Sequence, residues 1–92
     1  MIRVANVSDC VALAELDSHD NPSAWTVKQF QAACESVHDS VLIHENEYGE
    51  CMVFIVWQTI CDEMELHLIA TAPKFRRQGV ASALLAQMFH AA

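Results

Sequence analysis

An α+β fold of order β-α-α-β-β-β-α is predicted by three observations. Before Ser40, apolar residues recur at helical spacing in two segments. From Ser40 onward the pattern changes to runs rich in Val, Ile, Phe and Trp around a Gly-containing turn, the signature of a hairpin and of a mostly antiparallel sheet, here of four strands. Past Gly79 the helical spacing returns and places a last helix at the C-terminal end. At 92 residues the chain has length for one core, so residues 1–92 are expected to form one domain.

Each element has a local reason. Ile2 to Val4 is a short apolar segment that fits a first strand. Val7-Ser8-Asp9 offers a helix start, followed by Val11, Leu13, Ala14 and Leu16 in roughly helical register. Ser18 to Ala24 is polar, contains Pro22, and fits a loop. Thr26-Val27-Lys28-Gln29 matches a capping box, in which the Thr26 hydroxyl caps a helix and Gln29 reaches back. Phe30, Ala33, Cys34 and Val37 supply that helix's apolar face.

Ser40 to His44 and Glu50 to Ile60 are the hairpin strands, with Tyr48-Gly49 in the turn. Met52 to Trp57 is apolar without a break, as expected of a central strand covered on both faces. Cys61-Asp62-Glu63 marks the next turn. Met64 to Thr71 then alternates, with Met64, Leu66, Leu68 and Ala70 on one face and Glu65, His67, Ile69 and Thr71 on the other. Pro73 ends the strand, because it cannot donate to a ladder. Val80, Leu84, Leu85 and Met88 form the stripe of the last helix.

Composition excludes several function classes. Apolar residues make up 53% of the chain and charged residues 18%, which excludes intrinsic disorder. The longest apolar run is too short to span a bilayer, and no secretory signal stands at the N-terminus, so neither a membrane nor an export route is expected and the address is cytoplasmic. A net charge of −7 argues against a nucleic-acid surface. Cys10, Cys34, Cys51 and Cys61 lack zinc-site spacing and fit small, reduced, mostly buried residues, so no metal is expected.

The positive charge is scarce but clustered. Of five cations, Lys74, Arg76 and Arg77 fall within four positions, and Gly79 follows them. Pro73 to Ser82 lies between a strand and a helix, where unpaired N–H groups and the helix dipole favour a phosphate. Gly79 admits close backbone approach, small Ala81 and Ser82 keep the first turn clear, and Arg76 and Arg77 bring cationic donors. A Walker A loop and a Rossmann fingerprint are both absent.

Arg76-Arg77-Gln78-Gly79-Val80-Ala81 resembles the Q/R-x-x-G-x-G/A signature of the GCN5-related N-acetyltransferases (GNAT superfamily). The strand Glu65 to Thr71, the Ala72-Pro73 exit and the helix after Gly79 sit at family spacing. Pro22-Ser23-Ala24-Trp25-Thr26 and Phe30 are similar to the P-W-S…F segment of the ribosomal-protein-alanine N-acetyltransferases (RimI-like). Leu68 and Thr71 depart from that subgroup, which has Asn and Val there. Family members continue past the third helix with a splayed strand, another helix and a hairpin, so the chain is expected to be the N-terminal part of a GNAT fold, C-terminally truncated.

The resemblance implies an acetyl-CoA-dependent N-acetyltransferase acting on the α-amine of a protein N-terminus, such as that of a ribosomal protein. It implies that the backbone of Ile69, Ala70 and Thr71 pairs with the pantetheine arm. The amides of Arg77, Gln78, Gly79, Val80, Ala81 and Ser82 would wrap the pyrophosphate beside Arg76. The resemblance also implies direct attack of the amine on the thioester, with an N–H near Ile69 that would stabilise the oxyanion. Glu65 lies at the position many members fill with a catalytic Glu, fourteen residues before Gly79, and is the candidate base, directly or through water. Its competing role is a solvated residue on a strand face, and His67 fits a packed or surface residue better than a catalyst.

Two other functions fit the same residues: a catalytically incomplete fragment that binds coenzyme, or a small phosphate-binding or interaction module. The strand around Ile69 would leave an open sheet edge through which copies could associate, and a mean hydropathy of +0.19 implies apolar surface for other elements to cover.

Overall fold

Met52 to Trp57 is buried at every position, and the sheet is organised around it. In the computed structural model, which describes residues 1–19 and 21–91, four strands form one antiparallel sheet in the order β1-β2-β3-β4. They are β1 (Ile2–Val4), β2 (Asp39–Glu45), β3 (Cys51–Ile60) and β4 (Glu63–Thr71). Helices α1 (Cys10–Ser18), α2 (Val27–Glu35) and α3 (Val80–Ala91) complete the predicted order. Asp20, inside the segment expected to be a loop, and Ala92, where the chain was expected to be truncated, lie outside the described residues.

The two faces of β3 feed two cores. Phe54 and Val56 join Val41 and Ile43 of β2, Cys10 and Leu13 of α1, and Phe30 and Ala33 of α2. Phe30 meets Phe54 edge-on, with ring centroids 5.4 Å apart. On the opposite face Val53, Ile55 and Trp57 pack with Leu84 and Met88 of α3. A strand buried on both faces has no polar side to show, hence the unbroken apolar run.

Helix α2 starts as its capping box requires: Gln29 donates its backbone N–H to Thr26 Oγ1 at 3.2 Å, and Thr26 donates to Gln29 Oε1 at 2.8 Å. A second box precedes α1. Asn6 caps a single 3-10 turn over Val7–Asp9, and the Asp9 carboxylate accepts from the Asn6 backbone N–H at 2.8 Å.

Three expectations are corrected. Val11 is 64% exposed, because the inward face of α1 is Cys10, Leu13 and Asp17 rather than the stripe through Val11. Val37 lies beyond the end of α2 and is 92% exposed. The alternation along β4 breaks, because the register slips by one residue between Val56 and Trp57. Met64 packs against the α3-side core, whereas Leu68 and Ala70 pack against the α1/α2-side core. Glu65 pairs with Gln58 and stays on the α1/α2 face, while Ile69 and Thr71, opposite Ile55 and Val53, share the α3 face.

Candidate functional site

β4 is the last strand of the sheet, so one of its edges is open. Ala72 donates its N–H to the Met52 carbonyl at 2.8 Å, which fixes the parity of the antiparallel ladder. Ala70 shares that parity and turns its N–H and C=O toward β3, while Ile69 and Thr71 turn theirs to the open edge. Of the three residues expected to meet a pantetheine arm, two therefore offer backbone groups and Ala70 offers the wall between them.

A groove of about 490 Å³ runs along this edge, lined by Ile69, Ala70 and Thr71 on one side and by Leu16, Asp17 and Asn21 on the other. Thr71 and Arg76 also line a second hollow of about 210 Å³, which continues over Arg77, Gly79, Val80, Ala81 and Ser82. Strand edge and helix start thus border adjoining spaces.

Backbone conformation shapes the second hollow. Arg77 and Gly79 adopt positive φ values of 63° and 76°, which turn the chain between the 3-10 turn Pro73–Phe75 and the start of α3. At Gly79 a Cβ would meet no protein atom within 4 Å, so the requirement for glycine is conformational and its open side faces the hollow. Ala83 donates to the Gly79 carbonyl at 3.2 Å, and among the described residues no hydrogen bond is donated by the amides of Arg77 to Ser82. Such amides form a positive nest at a helix start.

The clustered cations divide. Lys74 leaves the loop to pair with Glu50 at the start of β3, and its ammonium lies 5.1 Å from the Phe75 ring centroid. The same contact, together with Asn46, holds the Glu50 carboxyl below the usual range. Lys74 therefore serves the frame, and Arg76 and Arg77 flank the nest. Gln78 is expected at the pyrophosphate; its side chain donates to the Lys74 carbonyl at 3.3 Å and braces the turn.

Glu65 is placed away from this loop, at the beginning of β4, with its side chain 78% exposed. Its Oε2 lies 3.9 Å from His67 Nε2, and His67, 26% exposed, lines the groove. The imidazole also meets Trp25 edge-on, with centroids 6.3 Å apart.

Sequence reasoning missed Asp17. Only 4% exposed, it accepts hydrogen bonds from the Trp25 backbone N–H at 2.9 Å and from Asn21 Nδ2 at 3.3 Å. It ties the two ends of the α1–α2 connection and so shapes the far wall of the groove. Its signal was present: Asp17 falls at i+4 from Leu13, on the inward stripe of α1. Among the described residues no group of three or more His, Cys, Asp or Glu is arranged to hold a metal, and no helix is long and apolar enough to cross a membrane.

The site thus joins a strand with an open edge to an amide nest at a helix start, along two adjoining hollows. Residues 10–92 match the acetyltransferase (GNAT) family, and the chain belongs to that family. Its fold is similar to that of the ribosomal-protein-S18-alanine N-acetyltransferase from Escherichia coli, with a TM-score of 0.84 at 24% identity over 96% of this chain. The chain spans 56% of the length of that enzyme. It is similar to the aminoglycoside antibiotic 6'-N-acetyltransferase AAC(6')-Ih from Acinetobacter baumannii, with a TM-score of 0.85 at 16% identity over 100% of this chain and 70% of that one. It is also similar to NAA60 from Arabidopsis thaliana, solved in complex with a bisubstrate analogue, with a TM-score of 0.81 at 14% identity over 98% of this chain and 64% of that one. A search of curated proteins gives no match.

Proposed function

We propose that this chain carries the coenzyme-binding half of an acetyl-CoA-dependent N-acetyltransferase whose acceptor is the α-amine of a protein N-terminus, such as that of a ribosomal protein. The observation that carries this is the run of amides from Arg77 to Ser82, unpaired among the described residues, opening on a hollow that adjoins the free edge of β4. Acetyl-CoA, when bound, supplies the acetyl thioester. The amides of Arg77 to Ser82 hold the diphosphate, with the Arg76 and Arg77 guanidinium groups beside them, as at other helix starts. Ile69 and Thr71 pair with the pantetheine as an added strand would, and Ala70 lines its path.

Ile69 offers an edge N–H to the oxygen that becomes negative during attack. An α-amine with an ordinary pKa near 8 arrives protonated at neutral pH, so a base is required, and Glu65 fills that role directly or through water. The net charge of −7 favours a cationic acceptor. The proposal treats residues 1–92 as one domain acting in the cytoplasm, where its free cysteines stay reduced. The open edge of β4 is also the surface through which two copies would associate, and coenzyme would compete with that pairing.

Two measurements test this. Acetyl-CoA should raise the unfolding temperature, and an unchanged midpoint at millimolar coenzyme would favour a phosphate-binding or interaction module of another class. Acetyl transfer to a peptide beginning Ala-Arg should occur with the unaltered chain and fall with Glu65→Gln. Coenzyme binding without transfer would identify a fragment that is catalytically incomplete.

A further inference from the structure

Two hollows meet at His67. One is the groove beside Ile69 to Thr71; the other, of about 350 Å³, runs beneath α2 and is lined by Trp25, Gln29, Asp39 and Gln58. The slip between Val56 and Trp57 leaves His67 without a partner on β3, and its ring lies on the same side as Leu68, where it meets Trp25. His67 shares the α1/α2 face with Glu65, two residues before it, and the slip then keeps Leu68 on that face as well. Glu65 lines neither hollow.

We propose that His67 receives the proton of the acceptor amine, with Glu65 as the carboxylate that steadies the resulting imidazolium across 3.9 Å. This rests on the acetyltransferase function proposed above and revises its proton path: Glu65 acts through the imidazole of His67 and not as the base itself. An ammonium N–H bond breaks as the proton moves to the imidazole, which leaves a neutral amine beside the thioester. The amine's C–N bond then forms as the C–S bond breaks. The sulfur leaves as thiolate and takes the surplus proton from the new amide nitrogen, and the imidazolium returns its own proton to water past Glu65. The charged groups around the ring are Glu65 on β4, Asp39 on β2, and Asp17 and Arg76 across the groove.

His67→Gln and His67→Phe are compared with the unaltered chain, with acetyl-CoA and an Ala-Arg peptide as substrates. Acetyl-CoA affinity should stay within about twofold, while kcat/KM falls by about 10²-fold or more. Phe keeps an aromatic ring against Trp25, so a merely structural His67 would be rescued by it, and wild-type rates with Phe would overturn the proposal. A readout without turnover is carbethoxylation of histidines by diethylpyrocarbonate, located by mass spectrometry. A bisubstrate analogue joining CoA to the peptide amine should shield His67, and equal modification with the analogue bound would also overturn it. Failure of the unaltered chain to bind acetyl-CoA would remove the acetyltransferase function and this inference with it.

Discussion

The buried carboxylate of Asp17 accepts the backbone N–H of Trp25 at 2.9 Å, joining the end of α1 to the residue before the cap of α2. The connection it spans borders the groove opposite β4. Removing the acceptor leaves a part-buried amide without its partner, at a cost of about 1–3 kcal/mol. Asp17→Ala should therefore lower the thermal midpoint by about 5–15 °C in a chain this short. Asp17→Asn, which keeps one acceptor oxygen of two, should lose less than half of that. Circular dichroism melts decide it, and an Ala variant with the wild-type midpoint would show that the connection is held elsewhere.

Gly79 separates conformation from ligand access. At φ 76° any side chain is strained, yet a Cβ there would meet no protein atom within 4 Å. Gly79→Val should destabilise the chain by about 1–2 kcal/mol, because a β-branched residue resists the left-handed region. Gly79→Asn tolerates that region and should stay within about 1 kcal/mol of wild type. Both should weaken acetyl-CoA binding by at least about tenfold, since each Cβ projects into the hollow over the amide nest. Titration calorimetry on the Asn variant is the cleaner measurement, and retained affinity there would move the diphosphate away from Gly79.

Much of this architecture could be read from the residues because the relevant signals are local. The capping box at Thr26 and Gln29 and the unbroken apolar run of β3 each follow from a few neighbouring positions. So does the placement of Gly79 between a strand and a helix. What escaped depends on distant partners. Lys74 leaves its basic neighbours for Glu50, 24 residues away. The slip in β4 has no sequence mark, because Leu66 and Leu68 are both apolar and either face could accept either one. The buried Asp17 carboxylate is satisfied by Asn21 and by Trp25, eight residues on.

The β3–β4 turn should be improvable. Cys61 and Asp62 have φ values of 51° and 65°, the pair of positive angles that a two-residue type I′ hairpin demands. Neither residue is the best for that region. Replacing both, Cys61→Asn with Asp62→Gly, should stabilise the chain by about 1 kcal/mol. A chemical denaturation midpoint that fell instead would mean that the Cys61 or Asp62 side chain makes a contact worth more than the turn.

Thiol reactivity should rank by burial. Cys61 is exposed, whereas burial pushes the thiols of Cys34 and Cys51 up to about 11. For Cys34 the neighbouring Cys10, its sulfur 4.0 Å away, adds to the rise. Iodoacetamide at neutral pH should therefore label Cys61 first, and raising the pH to about 9 should leave Cys34 and Cys51 largely protonated. Peptide mapping that found Cys34 labelled as fast as Cys61 would contradict this order.

Acid stability should depend on Arg3. Its guanidinium contacts both oxygens of Asp9, each at 2.8 Å, and its Nε lies 3.2 Å from Glu45, so β1 is bound to the start of α1 and the end of β2. The hydrogen bonds from Arg3, aided by the Asn6 backbone N–H, hold the Asp9 carboxyl below its usual 3.8. A carboxylate whose folded pKa is depressed stabilises the fold above its unfolded pKa, and the benefit disappears as pH falls through the folded value. Stability should thus hold between about pH 5 and 7 and decline as the pH drops below about 4. Arg3→Gln should remove about 1–2 kcal/mol at pH 7 and progressively less as acid protonates the Asp9 carboxyl in the folded state. Urea midpoints across that range measure the difference, and a loss that stayed the same size down to pH 2 would mean that Arg3 acts through its packing rather than through the charge on Asp9.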